Sequence, residues 1–453
     1  MMSKLLRFSK RQLHTIVSRD IIKPSSPTPS HLKTYNLSLL DRITANAYMP
    51  VVAFYPRSSV YQSSLDKTLE LKNSLSHTLT QYYPFAGKTK KISPTYVDCN
   101  DEGVEFIEAC NDSSLSDFLQ HSEHEDLNKL FPNDLIWFHP NRKCDDDGLS
   151  STCPLAVQVN HFACGGVAVA ISLFHKIGDG SSMLNFLSHW AKVNAGSRVR
   201  YQTNASPVNP HFITYQKRNI NFQKDFPDVL GRDFVTRSFL FPNQRLNDLK
   251  AKVIDMITES REPMIMNPTR VEVITWLIQK CAVAAATKTN SATFKDTGMI
   301  YTLNLRNSLM QKLPETSFGN LVTVIEFPTS NQSEEITPRM TIGQLREKKA
   351  AFQSITNLET ALGIFSDTVT DATILEMSKT VGHYYFYSSL CGFPTYSIDF
   401  GWGKPVKVTL AGHGKNVIIL MDSPNSSGIE ALVSLDRQDM MIFQKDPNLL
   451  SFC

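Results

Sequence analysis

Two apolar runs constrain the fold of this chain more than any other stretch. Leu155 to Phe162 and Val167 to Phe174 flank a short segment that contains Gly165-Gly166. Apolar runs of this length around a glycine pair read as a hairpin of buried strands. The second run leads straight into His175-Lys176-Ile177-Gly178-Asp179-Gly180. Beyond it, Met183, Leu184, Leu187, Trp190 and Ala191 share one helical face. The order is strand, polar glycine loop, helix.

Strands and helices alternate elsewhere too. Leu65 to Tyr83 reads as an amphipathic helix, because Leu65, Leu69, Leu71, Leu75 and Leu79 fall within an arc of about 160°. Pro84 stops it. Phe234 to Phe241 reads as a strand and Leu246 to Ile257 as a helix. Thr269 and Glu272 have the spacing of a capping box, which opens a helix through Trp276 to Ala286. Strands are expected at Met299 to Leu305, Leu321 to Phe327, Val406 to Leu410, Val417 to Met421 and Gly428 to Leu435, with a helix over Ile342 to Ile355. Between the halves, Gly196 to Asp233 carries Pro207, Pro210 and Pro227 and has no sustained period. The expected organisation is a basic tail over 1–20, an α/β half over 21–196, a linker over 197–232 and a second α/β half over 233–453.

Composition excludes several classes. Apolar residues make up 42% and charged residues 20%, which rules out a disordered chain. Lys and Arg number 46 against 43 Asp and Glu, a net +3 that makes no electrostatic case for nucleic acid. Met1 to Asp20 hold five of those bases and one acid, so the rest balances at 41 against 42. The basic start has the composition of an organellar presequence or of a disordered basic tail, and lacks a secretory apolar core. No apolar run approaches the ~18 residues of a membrane-spanning helix. The eight cysteines form no C-x-x-C pair and are expected to be reduced. His121-Ser122-Glu123-His124 lies in the polar stretch 113–150 and reads as a solvated loop, so no metal is expected.

Motif checks narrow the chemistry. G-x-S-x-G, G-x-G-x-x-G and H-E-x-x-H are absent, and Gly87-Lys88-Thr89 has Tyr82 where a phosphate loop needs glycine. His175 and Asp179 remain, at a strand end. A lone histidine there is often packing or surface. Here Gly178 and Gly180 permit a tight loop with close approach of a ligand, and a helix N-terminus follows with spare N–H donors. A neutral imidazole in that place can act as a general base, worth ~10²–10⁴ in rate. Asp399-Phe400-Gly401-Trp402-Gly403-Lys404-Pro405 reads, taken alone, as a rigid turn packed by aromatics.

Together, these two elements resemble the H-x-x-x-D and D-F-G-W-G signatures of the plant BAHD acyl-CoA-dependent acyltransferases. Segments such as Tyr35-Asn36-Leu37-Ser38-Leu39-Leu40-Asp41, Tyr83-Pro84-Phe85-Ala86-Gly87, Asn304-Leu305-Arg306 and Phe318-Gly319-Asn320 extend the likeness from about residue 21 to the C-terminus. The opening Lys23-Pro24-Ser25-Ser26-Pro27-Thr28-Pro29 is most similar to the vinorine synthase-like branch. The resemblance implies two chloramphenicol-acetyltransferase-like α/β domains joined by a crossover loop, with a channel between them. It implies acetyl-CoA or another acyl-CoA as co-substrate rather than a bound cofactor, and a hydroxyl acceptor such as an alkaloid or terpenoid. An acylsugar-type enzyme using branched or longer acyl-CoA, and a non-catalytic binding paralogue, are the alternatives. His175 would be the general base. Asp179 would turn away and pair with Arg306, while Gly178 and Gly180 keep the loop tight. Asp399, Gly401, Trp402 and Gly403 would be structural rather than contacts to CoA. Lys88, Lys90 and Lys91 read as a solvated charge run rather than a phosphate site. A cytosolic monomer is expected.

Overall fold

The computed structural model describes residues 14–58, 64–90, 94–132, 135–137, 151–196, 210–213, 233–259, 265–289, 296–307, 309, 313–314, 316–331, 335–350, 352, 384–412 and 414–453. Its architecture is mixed α/β, built on two six-stranded sheets. In the first, the strands lie in the order His14–Ile22, Val104–Asn111, Leu155–Phe162, Val167–Phe174, Tyr48–Tyr55, Lys407–Leu410. Val104–Asn111 and Leu155–Phe162 run parallel, and the other neighbours are antiparallel.

The hairpin sits in the middle of this sheet, and every residue of both its strands is buried. Their period of two explains the double cover. Val157, Val159, Val169 and Ile171 pack into the cluster that holds Leu71, Leu75, Leu184 and Leu187 of the helices Ser64–Gln81 and Gly180–Gly196. Phe162, Ala168 and Ala170 face the opposite way, onto Leu115, Phe118 and Leu130. The helix face is narrower than the leucine spacing predicted: Leu71, Leu75 and Leu79 are buried, but Leu69 is 58% exposed. Thr68 and Thr78 are buried instead, because they sit closer to the centre of the packed face.

The second sheet has the order Phe234–Pro242, Gly428–Asp436, Val417–Asp422, Tyr384–Ser389, Asp296–Asn304, Val322–Asn331. The helices Asn243–Glu259 and Arg270–Thr289 pack on it through Leu249, Val253, Ile274 and Ile278. The capping box is formed, with Thr269 N–H donating to Glu272 at 2.7 Å and Glu272 N–H to Thr269 Oγ1 at 3.2 Å. The helix expected over Ile342 to Ile355 starts as a π-helical turn, Arg339–Gly343, that leads into the helix Gln344–Ala350; residues 351 and 353–355 lie outside the described residues.

Two boundaries differ from the sequence reading. His14 to Asp20 are not tail: His14–Ile22 is the edge strand of the first sheet, tied by Arg19 to Glu105 at 2.7 Å and by Asp20 to Lys72 at 2.8 Å. Its side chains are mostly exposed, so it carries no apolar period to betray it. Nor is 233–453 confined to the second sheet. Lys407–Leu410 pairs antiparallel with Tyr48–Tyr55, and Ile398, Phe400, Trp402 and Val408 belong to the first core. The linker 197–232 lies outside the described residues apart from 210–213, where His211–Phe212 pairs in parallel with Ser317–Phe318. Among the described residues no helix is long and apolar enough to cross a membrane.

Candidate active site

His175 leaves the end of the central strand in a single 3-10 turn, His175–Ile177. Its N–H donates to Ala47 O at 2.8 Å, and its carbonyl accepts from Asn320 Nδ2 at 2.7 Å. The main chain of the histidine is therefore held on both sides. Part of the side chain stays open while Nδ1 is buried. Burial lowers the imidazole pKa, and the Lys176 cation pushes the same way; its own carbonyl, Asp179 and Asn320 oppose the shift. The ring is thus neutral at neutral pH, the state a base requires. The Trp137 ring stands 6.4 Å from it, centroid to centroid. Trp137 has a φ of 27° and is fastened by its Nε1–H to Ala411 O at 2.9 Å.

Asp179 caps the following helix: its Oδ1 accepts from Ser182 N–H at 2.9 Å. Its Oδ2 accepts from Arg306 Nη1 at 2.6 Å and from Leu321 N–H at 2.9 Å. The carboxylate is 2% exposed. Burial opposes its ionisation, but the Arg306 charge and these hydrogen bonds outweigh burial and hold its pKa below the usual carboxylate range. Arg306 Nη2 also reaches Gly319 O at 3.1 Å and Ser182 Oγ at 3.3 Å. Asp179 and Arg306 are thus brought together, both largely shielded from solvent.

Gly178 has an extended backbone, so conformational freedom is not what it supplies. A Cβ there would come within 2.9 Å of Ser182 Cβ and 3.0 Å of Phe318. The close approach expected for a ligand is made by the protein itself. At Gly180 the corresponding neighbour is Leu390, at 3.0 Å.

The second motif lies elsewhere. Asp399 Oδ1 accepts from the N–H groups of Gly401, Trp402 and Gly403 at 2.7, 2.9 and 2.9 Å. Gly401 and Gly403 have φ of 87° and 99°, where a side chain would be strained. Trp402 and Phe400 pack edge-on against Tyr55 at 5.4 and 5.8 Å. Tyr55 pairs with Val167, whereas Tyr48 pairs with Phe174 beside His175. Seven strand steps of ~3.3 Å separate the motif from His175 by roughly 23 Å. Of the three lysines, Lys88 contacts Cys153 Sγ at 2.8 Å and Glu102 at 3.6 Å, Lys90 is exposed, and Lys91 lies outside the described residues. Among the described residues no group of His, Cys, Asp and Glu could hold a metal ion.

Several site residues carried no assigned role in the sequence reading. Lys176 is buried, and its Nζ donates to Arg42 O at 2.9 Å and Thr44 O at 2.7 Å, at the C-terminal end of the helix Leu39–Ile43. Ser182 Oγ donates to Gly319 O at 2.9 Å and accepts from Gly319 N–H at 3.1 Å. Asp41 Oδ1 accepts from Asn320 N–H at 2.8 Å and from Asn320 Nδ2 at 2.9 Å. The peptide groups of 319–321 are thus gripped by side chains of the first lobe. Ser38 and Asp41 have capping-box spacing, which was a legible signal for that end of the network. Trp137 had none.

Comparison with known proteins places this architecture. The Transferase family model matches residues 14–450. The chain is 35% identical to akuammiline synthase 1 of Alstonia scholaris over 444 residues, covering 96% of this chain and 97% of the relative. It is 34% identical to minovincinine 19-hydroxy-O-acetyltransferase of Catharanthus roseus over 455 residues, covering 96% and 97%. The crystal structure of vinorine synthase superposes with a TM-score of 0.75 at 27% identity, over 97% of this chain and 98% of that one. With its two-lobed fold and full-length match, the chain belongs to the plant BAHD transferase family and is an acyl-CoA-dependent acyltransferase.

Proposed function

We propose that this enzyme transfers an acetyl group from acetyl-CoA to a hydroxyl of an alkaloid or terpenoid, with His175 as general base. The observation that carries the reading is the imidazole: kept neutral by burial, held through its main chain and left partly open at the end of a central strand. In this reaction His175 takes the proton of the acceptor hydroxyl, and the oxygen attacks the thioester carbonyl. The tetrahedral adduct collapses, the C–S bond breaks, and the CoA thiolate recovers the proton from His175. No covalent acyl-enzyme is required. Holding both substrates together supplies the gain in proximity.

Asp179 is a positioning residue in this scheme. With Arg306, Gly178 and Gly180 it sets the loop that presents His175. Asp399, Gly401, Trp402 and Gly403 brace the first core. The name of the minovincinine relative supports acetyl as the acyl group and a specialised metabolite as acceptor. Action as a cytosolic monomer completes the reading.

The test is release of CoA thiol from acetyl-CoA with a panel of alkaloid, terpenoid and sugar alcohols. Turnover with an alkaloid or terpenoid, and a loss of at least ~10²-fold in folded His175→Ala, are expected. Near wild-type turnover in that variant removes His175 as base. Turnover confined to branched or longer acyl-CoA and a sugar acceptor replaces the substrate assignment.

A further inference from the structure

We infer that Asp41 is a positioning residue for acyl transfer: through the side-chain amide of Asn320 it holds the His175 carbonyl, and with it the imidazole, in the reactive setting. The inference rests on His175 as the base.

The geometry is a short relay. Asn320 Nδ2 has two protons and two acceptors, Asp41 Oδ1 at 2.9 Å and His175 O at 2.7 Å. Both acceptors lack protons while Asp41 is ionised, so the amide nitrogen must face them. Asn320 is 1% exposed, and its Oδ1 has no hydrogen-bond partner among the described residues. Its orientation is therefore set by these two bonds and by its own N–H to Asp41. Asp41 is fixed in turn: Ser38 N–H donates to its Oδ2 at 2.9 Å, and its own N–H donates to Ser38 Oγ at 3.1 Å. The His175 carbonyl matters because it also bears on the ring, together with Asp179 and the Asn320 side chain itself. Displacing it turns the imidazole.

The relay has a chemical weakness. Burial pushes the Asp41 carboxyl up to about 6, even against the hydrogen bonds from Asn320 and Ser38. A protonated Asp41 keeps acceptor capacity but gains an O–H, which disturbs the donors now facing its two oxygens, Asn320 on Oδ1 and Ser38 on Oδ2. The charged and titratable groups around it are Tyr35 and Arg42 on its own stretch, His175, Lys176 and Asp179 on the catalytic loop, and Arg306 from the second lobe. Arg306 bonds Asp179 and Gly319 O, and Lys176 bonds the helix end. What holds the Asp41 carboxylate against burial is the set of neutral hydrogen bonds from Asn320 and Ser38.

The experiment compares wild type, Asn320→Ala, Asp41→Asn and His175→Ala with acetyl-CoA and an accepted alcohol, between pH 5 and 9, alongside thermal melts. In wild type two groups must be deprotonated, so log kcat falls with a slope above 1 at the acid end of this range. Asn320→Ala and Asp41→Asn reduce that slope to 1. At pH 8 Asn320→Ala lowers kcat by about 10- to 100-fold with KM for acetyl-CoA within about twofold, the signature of a displaced reacting group. If Asp41→Asn does not fold, Asn320→Ala carries the test alone. Wild-type slope and kcat in folded Asn320→Ala overturn the inference, as does a loss that only follows the folded fraction. A dead His175→Ala beside a normal Asn320→Ala leaves the base in place and removes the relay alone. An active His175→Ala removes both.

Discussion

Asp41 and Asp179 are both buried, and each accepts a hydrogen bond from one of two adjacent peptide groups, Asn320 N–H and Leu321 N–H. Their acidities nevertheless move in opposite directions, upward to about 6 for Asp41 and downward for Asp179. Burial raises both. The difference is the guanidinium of Arg306, 2.6 Å from Asp179; the hydrogen bonds described at Asp41 come from neutral groups of Asn320 and Ser38. Neutral donors soften the desolvation of a carboxylate, whereas a full charge at contact distance reverses it. One clamp is therefore permanently charged and the other is poised to titrate.

The strongest way to break this comparison is to remove the guanidinium. Arg306→Met leaves Asp179 buried and uncompensated, and a loss of about 3–5 kcal/mol in urea unfolding is expected. Adding Asp179→Leu to that variant restores part of the loss; a double variant less stable than Arg306→Met shows that the two charges do not act as a pair.

Stability against pH sharpens the contrast. Asp179, with a depressed folded pKa, contributes stability above the unfolded value of about 4 and loses it as pH falls through the folded value. Asp41 behaves oppositely. Its folded pKa is raised, so the folded state loses stability as pH rises from about 4 to about 6, by on the order of 3 kcal/mol. Asp41→Asn removes that decline, and parallel curves for the variant and wild type exclude it. His175, with a lowered pKa, disfavours the fold as pH drops below about 6.5.

A smaller effect is expected where the loop meets the second lobe. Gly178→Ala forces a methyl against Ser182 and Phe318, costing about 1–3 kcal/mol in unfolding and lowering kcat with it. The smallest belongs to the far motif. Gly403→Ala meets no neighbour within 4 Å, so only its φ of 99° is strained, at about 1–2 kcal/mol. Turnover per folded molecule stays at wild type; a selective fall in kcat brings the motif into the chemistry.

Local rules carried much of this architecture. The hairpin, the strand entering His175, the capping box of Thr269 and Glu272, and the helix before Pro84 follow from period, turn chemistry and capping, which act over a few residues. The same rules misjudged Leu69, because a helical wheel shows which residues share a face but not where the neighbouring sheet meets it. They ended the tail too late as well, since an edge strand with exposed side chains needs no apolar alternation.

Sequence alone determined which residue stands at the end of the central strand, and that glycine and aspartate follow it before a helix. Tertiary structure decided what surrounds that residue. Arg306 reaches Asp179 across 127 positions and Asn320 reaches Asp41 across 279, while Lys407–Leu410 crosses to the sheet of the other lobe. Such pairings have no period or spacing to read. They arise when two separately folded layers meet and each buried polar group must find a partner, and chain separation does not limit that search.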